Sequence, residues 1–142
     1  MTVLLTGAAG SIGTALRERL PALGWDLRSF DRKHVPGGIV GDITNAATLD
    51  AALDGVTAIV HLAGVPTEAP WRQLREANVD GLVELFEAAR RAGVERVVWA
   101  SSNHAVGFTP VADDLPSDLP PRPDTLYGVT KVFGEALGRY YR

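Results

Sequence analysis

Short β-branched and apolar runs alternate along this chain with longer stretches in which apolar residues return at helical spacing. Thr2-Val3-Leu4-Leu5-Thr6 opens the series as a strand, and Ile12, Leu16, Leu20 and Leu23 follow at the spacing of one helix face. Asp26 to Phe30 reads as a second strand and Ile39-Val40 as a short third. Thr44 is placed to cap a helix from about Asn45 to Leu53, and Ala58 to Leu62 has the continuous apolar character of a buried strand. A long helix is predicted from Trp71 to Arg91, broken at Ala92-Gly93, ahead of a strand from Arg96 to Ala100. Strands alternating with helices imply an α/β fold of the doubly wound Rossmann type, a parallel sheet of expected order 3-2-1-4-5, with ligands at the carboxyl ends of its strands. Residues 1–142 make one domain.

The first strand leads directly into Gly7-Ala8-Ala9-Gly10-Ser11-Ile12-Gly13, so the glycines lie between strand and helix. That is the context of a dinucleotide fingerprint, spaced GxxGxxG instead of the commoner GxGxxG. A side chain at Gly7 or Gly10 would obstruct a pyrophosphate, whose charge is met by free amides at a helix N-terminus, and Gly13 would let helix and strand pack closely. The second strand ends in Asp31, about where an acidic residue meets a ribose 2′-hydroxyl. A carboxylate there accepts the diol of NAD and repels a 2′-phosphate, although adjacent Arg32 would soften the repulsion; NAD is the expected cofactor, ahead of NADP.

Tyr127 and Lys131, in Tyr127-Gly128-Val129-Thr130-Lys131, stand one helical turn apart and therefore on one face. A phenol, with a reference pKa of about 10, is a poor base at neutral pH, and a fixed ammonium beside it favours the phenolate. At an effective dielectric of about 20 and a separation of about 4 Å the attraction is roughly 4 kcal/mol. The pair can thereby serve as a general base. The same spacing also occurs on ordinary solvated helices, so it gains weight only from the glycine turn upstream.

Taken together, TGAAGSIG, Asp31, Gly41-Asp42-Ile43, His61-Leu62-Ala63-Gly64, Asn78, Ser101-Ser102 and YGVTK resemble the extended short-chain dehydrogenase/reductase family, which includes NAD-dependent epimerases and dehydratases. Within it, Ala100 to His104, Arg122 to Val129 and Lys131 to Glu135 are similar to the uronate dehydrogenases, which oxidise the C1 hydroxyl of a hexuronic acid to an aldarolactone with NAD. The resemblance implies that Tyr127 is the base, that Lys131 holds the nicotinamide ribose and tunes Tyr127, and that Ser102 bonds the reacting oxygen. It further implies that Ser102, Asn103, His104 and Tyr127 contact a sugar-acid substrate. The cofactor contacts so implied are Gly7, Gly10, Ser11, Ile12, Gly13, Asp31, Arg32, Asp42, Ile43, Leu62, Ala63, Gly64, Asn78, Ala100, Tyr127 and Lys131. In the resembled enzymes a serine that touches substrate stands where this chain has Pro66. Members of the family also continue beyond the tyrosine helix into a substrate-binding region, so 142 residues are expected to be about half of such an enzyme. An unpaired sheet edge near Val97 and a homo-oligomer formed through the Trp71 to Arg91 and Tyr127 to Arg142 helices are expected to accompany that.

Charge and composition narrow the alternatives. Fourteen Lys plus Arg against 17 Asp plus Glu give a net charge of −3, which carries no nucleic-acid footprint or polybasic membrane patch. With no cysteine there is neither a disulfide framework nor a thiolate nucleophile, and no signal-like n- and h-region precedes the first strand; cytoplasmic residence is expected. His34 reads as solvated, His61 as packed and hydrogen-bonded, and no histidine spacing suggests a metal. Trp25, Trp71 and Trp99 read as core or interface aromatics. Asn103 to Thr125, rich in proline, is expected to be an ordered loop walling the substrate pocket, with Asp113, Asp114 and Asp118 facing water. A sugar-nucleotide epimerase or dehydratase would use the same Tyr127 and Lys131, and a cofactor-binding module without catalysis remains the third reading.

Overall fold

The computed structural model describes residues 1–112 and 114–142; the water-facing position expected for Asp113 lies outside the described residues. Five strands form one parallel sheet: β1 (Thr2–Thr6), β2 (Asp26–Asp31), β3 (Ile39–Val40), β4 (Ala58–His61) and β5 (Arg96–Trp99), in the order β3-β2-β1-β4-β5. The doubly wound expectation holds, strand order included. Register aligns the carboxyl ends: Thr6 of β1 lies opposite Phe30 of β2 and His61 of β4, and His61 lies opposite Trp99 of β5. Every loop that leaves the sheet here opens onto one rim, where such folds place ligands.

Alternation along the strands divides the core. Leu4 and Ile59 face the larger cluster, built with Phe30, Leu49, Leu53, Leu82 and Leu85 beneath α2 (Ala46–Leu53) and α4 (Gly81–Arg91). Leu5 faces a smaller cluster with Ala8 and Val35, against which Leu16 of α1 (Ser11–Ala22) packs. The stripe expected on α1 is only partly used. Ile12 is 59 % exposed because it sits in the first turn at the rim, and Leu23 is 74 % exposed because the helix has ended at Ala22, just after Pro21.

Two further boundaries differ from the sequence reading. Asn45, and not Thr44, caps α2, its side chain accepting from the Thr48 amide at 3.0 Å while the Thr44 hydroxyl is spent on Asp42. The predicted long helix is interrupted: α3 (Trp71–Leu74) passes through a π turn at Arg75–Asp80 into α4. A π turn inserts one residue and rotates the downstream helix, which a fixed 3.6-residue pattern does not register. Trp99 packs against the core, but Trp25 and Trp71 are surface residues, 36 % and 44 % exposed.

After β5 the chain makes a 3-10 turn at Asn103–Val106 and returns to α5 (Leu126–Tyr140), the tyrosine helix. Arg122 straps the intervening loop, its amide donating to the Ala105 carbonyl and its carbonyl accepting from the Phe108 amide, both at 2.9 Å. Asp114 and Asp118 face water, as expected. β5 pairs only with β4 among the described residues, and Val98 is 56 % exposed on that edge strand. No helix among the described residues is long and apolar enough to cross a membrane.

Candidate functional site

At the rim, Gly7 adopts φ +70°, and a Cβ there would lie 2.6 Å from the Leu62 and Ala63 backbone. The loop after β4 therefore closes directly on the glycine turn, and only glycine tolerates both the conformation and the approach. The constraint at Gly7 is thus the chain's own packing more than an expected ligand. Gly13 is pressed against the Gly7 carbonyl and Ala8, which seats α1 on β1. No side chain caps α1, so the amides of its first turn, Ser11 to Gly13, point outward with the positive end of the helix dipole behind them.

Asp31 ends β2 half-buried. Its Oδ2 accepts from the Ala9 amide at 2.9 Å and its Oδ1 from the Lys33 amide at 2.8 Å, tying the glycine turn to the turn after β2. A carboxylate has about four acceptor positions, so a diol can still be received there. Arg32 turns to Asp42, with 3.9 Å between Nη1 and Oδ2, and is largely exposed.

Across the cleft stands α5. Thr125 caps it by accepting from the Gly128 amide at 2.9 Å, which fixes the turn carrying Tyr127. Tyr127 is buried to 8 % exposure, and Lys131 lies over its ring, Nζ 5.3 Å from the centroid and 4.8 Å from that of Trp99. Nζ also donates to the Ala100 carbonyl at 2.7 Å. Burial lowers the Lys131 pKa to about 8, so it remains chiefly an ammonium at neutral pH. Behind it, His61 is buried with Nδ1 2.6 Å from Thr6 Oγ1, and burial, with the nearby Lys131 charge, lowers its pKa to about 3.

These parts enclose a cleft of about 730 Å³. Gly7, Gly10, Ser11, Ile12, Gly13, Asp31, Arg32, Asp42, Ile43, Leu62, Ala63, Gly64, Ala100, Tyr127 and Lys131 all line it, so fifteen of the sixteen expected cofactor contacts converge. Asn78 is the exception. Its Oδ1 accepts from the Val65 amide at 2.7 Å, and its Nδ2 donates to the Val65 carbonyl and to Thr130 Oγ1 at 3.0 and 3.2 Å. It stands behind the wall and shapes the Gly64-Val65 loop. Gln73, Glu76 and Ala77 line the cleft without having been anticipated. Their i, i+3, i+4 spacing was a signal of one shared face, but the sequence assigned that face to an uninterrupted helix.

Ser102, Asn103 and His104 do not line this cleft; Asn103 and His104 open the 3-10 turn beside Tyr127 and Ser102 caps it. The Ser102 hydroxyl oxygen accepts from the His104 amide at 3.2 Å, capping that turn, and the His104 and Tyr127 rings meet edge to face at 5.8 Å. A larger hollow, about 1180 Å³, lies along the outer edge of β5 among Phe86, Trp99, Gly134 and Tyr141, and holds neither the glycines nor Tyr127. The glycine turn, Asp31, Tyr127 and Lys131 all line the smaller cleft. No cluster of metal-ligating side chains exists among the described residues.

The family model described as the NAD dependent epimerase/dehydratase family matches residues 3–142. The chain belongs to that family. It is 43 % identical over 145 residues to a uronate dehydrogenase of Agrobacterium fabrum, covering 98 % of this chain and 55 % of that protein. It is 40 % identical to an NAD-dependent glucose-6-phosphate dehydrogenase of Haloferax volcanii, covering 98 % and 62 %. A crystal structure of a tyrosine-to-alanine mutant of the Agrobacterium tumefaciens uronate dehydrogenase complexed with NAD superposes at a TM-score of 0.93 and 42 % identity, over 99 % of this chain and 55 % of that one. The chain spans little more than half the length of these relatives. Its own geometry suits the family's dinucleotide: outward amides for a diphosphate, a carboxylate with acceptor capacity for a diol, and a glycine-lined approach to both.

Proposed function

We propose that this chain binds NAD in the cleft between the Gly7 to Gly13 turn and Tyr127, and forms the catalytic face of a dehydrogenase that oxidises the C1 hydroxyl of a hexuronic acid to an aldarolactone. The observation that carries the reading is convergence: Tyr127 and Lys131 share one cleft with the glycine turn and Asp31, although 120 residues separate Gly7 from Tyr127 in sequence. When bound, the nicotinamide supplies the hydride acceptor. Asp31 takes the adenosine ribose diol, the α1 amides take the diphosphate, and Lys131 takes the nicotinamide ribose. Tyr127 Oη removes the proton of the C1 hydroxyl as the C1–H bond gives up its hydride, leaving a C1 carbonyl and a neutral phenol. Ser102, Asn103 and His104, at the 3-10 turn whose His104 ring meets Tyr127, are assigned to the sugar. The relatives' names support an aldose or its uronic acid as the substrate class.

Calorimetric titration with NAD and then NADP tests the cofactor half of this reading; saturable binding that prefers NAD is expected. Galacturonate and glucuronate with NAD test the chemical half, with Tyr127→Phe expected to keep NAD affinity and lose turnover. Turnover retained in Tyr127→Phe would remove the base assignment. Self-association through the Trp71 to Arg91 and Tyr127 to Arg142 helices, on which Trp71, Val129 and Tyr140 are exposed, is part of the same proposal; a monodisperse monomer in light scattering would refute it.

A further inference from the structure

Beside Tyr127, Asp124 and His104 make a contact that the proposed reaction does not use. His104 Nδ1 lies 2.8 Å from Asp124 Oδ1, which also accepts from the Thr125 hydroxyl at 3.3 Å. The chain makes room for this carboxylate: a Cβ at Gly107 would collide with all its heavy atoms. The Arg122 strap holds Asp124 and the 3-10 turn together, and the Ser102 hydroxyl fixes the His104 amide. His104 is therefore held at its backbone from one side and at its ring from the other. Its side chain is nevertheless 43 % exposed, which a histidine serving only to fill a core would not be.

We infer that Asp124 is a positioning residue: it holds His104 as the Nδ1–H tautomer, so that Nε2 is left as a hydrogen-bond acceptor for a hydroxyl of the ligand that meets Tyr127. The hydrogen bond from His104 is also the main cause that keeps the Asp124 carboxyl below its ordinary range, so Asp124 is acceptor-only at neutral pH and cannot exchange roles with the ring. A carboxylate that accepts from Nδ1–H settles which nitrogen carries the proton. In the unrestrained ring both tautomers exchange. The identity of the ligand as a sugar rests on the proposed function; the tautomer does not.

Long-range 15N–1H correlation spectra of the 142-residue chain report the tautomer of each histidine, His34, His61 and His104, without any need for turnover. His104 is expected to show the Nδ1–H pattern above neutral pH, and Asp124→Ala is expected to return it to a mixture dominated by Nε2–H. Unchanged His61 signals would certify the fold of the variant, and Asp124→Asn, which keeps an acceptor oxygen, should preserve the Nδ1–H form if Asp124→Ala unfolds. An Nε2–H pattern for His104 in the unaltered chain, or an unchanged pattern in folded Asp124→Ala, would overturn the inference. Failure of NAD-dependent uronate turnover would instead count against the proposed function alone.

Discussion

Glu68, 59 residues before Tyr127, accepts a hydrogen bond from the Tyr127 backbone amide through Oε2 at 2.8 Å. Thr125 takes the next amide, that of Gly128, so the first turn of α5 is capped once locally and once from the loop after β4. That loop contributes Gly64, Val65 and Pro66 to the cleft, so the helix that carries Tyr127 is registered against the wall it faces. We predict that Glu68→Ala destabilises the fold by about 1 kcal/mol, as loss of a cap acceptor near a helix dipole does, while Glu68→Gln recovers most of this. Urea unfolding midpoints decide it, and an unchanged midpoint in Glu68→Ala would show the contact to be idle.

Asn78 ties the same loop to the same helix from behind. Its amide serves both polar groups of Val65, and the Thr130 hydroxyl it reaches donates in turn to the Tyr127 carbonyl at 2.7 Å. Asn78→Ala would leave these groups without their partner in a site of 8 % exposure, at a cost of about 1–3 kcal/mol. The variant should also weaken NAD binding without any contact to the cofactor having been removed. Full stability of Asn78→Ala in urea would mean that water or another group replaces the amide.

How much the sequence disclosed depends on how local each signal was. The β1 run, the glycine turn and Asp31 occupy consecutive elements, and their spacing pointed to the cleft that the glycine turn and Asp31 line and that is proposed to hold the dinucleotide. Tyr127 and Lys131 share a helix, so their face was legible too. Asn78 stood out only through the family resemblance, and the partners its amide takes, Val65 and Thr130, are brought to it by a π turn and by tertiary packing that no local pattern announces. Glu68 had no local signal, and Asp124 lay within the Arg122 to Val129 resemblance with no role attached to it. Each acts on a partner brought near by tertiary packing, or by a strap such as that from Arg122 to Ala105 and Phe108, and neither periodicity nor residue type announces that.

Of the two lysines in the chain, Lys33 and Lys131, the second has its pKa lowered by burial to about 8. Burial against Trp99 and Tyr127 disfavours its charge, so the ammonium dominates below that pH and is lost above it. NAD affinity that depends on this cation should therefore decline as pH rises through 8. Selective 13C labelling of lysine follows the two side chains separately. A Lys131 midpoint near 10.5 would mean that the ammonium is solvated and that the decline has another origin.

Asp31 has a structural duty and a proposed one at the ribose, so its removal should have two effects. Asp31→Ala leaves the Ala9 and Lys33 amides without their acceptor and loosens the glycine turn, which should cost roughly 1 kcal/mol of stability. It also removes the negative charge beside Arg32 and Lys33, so discrimination against NADP should relax. Paired titrations with NAD and NADP measure the second effect. An unchanged preference would confine Asp31 to the first.

His61 should make the fold acid-sensitive in a defined window. It is 2 % exposed, bonded to Thr6, and neutral in the folded chain down to a pKa of about 3, against an ordinary 6.5. Above pH 6.5 neither state holds the proton and there is no penalty. As pH falls from 6.5 towards 3 the unfolded chain takes up a proton that the folded chain refuses, so stability drops by up to about 1.4 kcal/mol per pH unit. Between pH 7 and 4.5 this one group should remove on the order of 2–3 kcal/mol. Asp124 and Glu87, both held below their ordinary range, add losses of the same sign at lower pH, which His61→Asn separates because it removes only the histidine contribution. Urea unfolding at the two pH values in both proteins gives the difference, and the His61 ring nitrogens should stay neutral at pH 4.5 in the unaltered chain. An imidazolium at His61 in the folded state at that pH would show that water reaches the ring and that the acid sensitivity arises elsewhere.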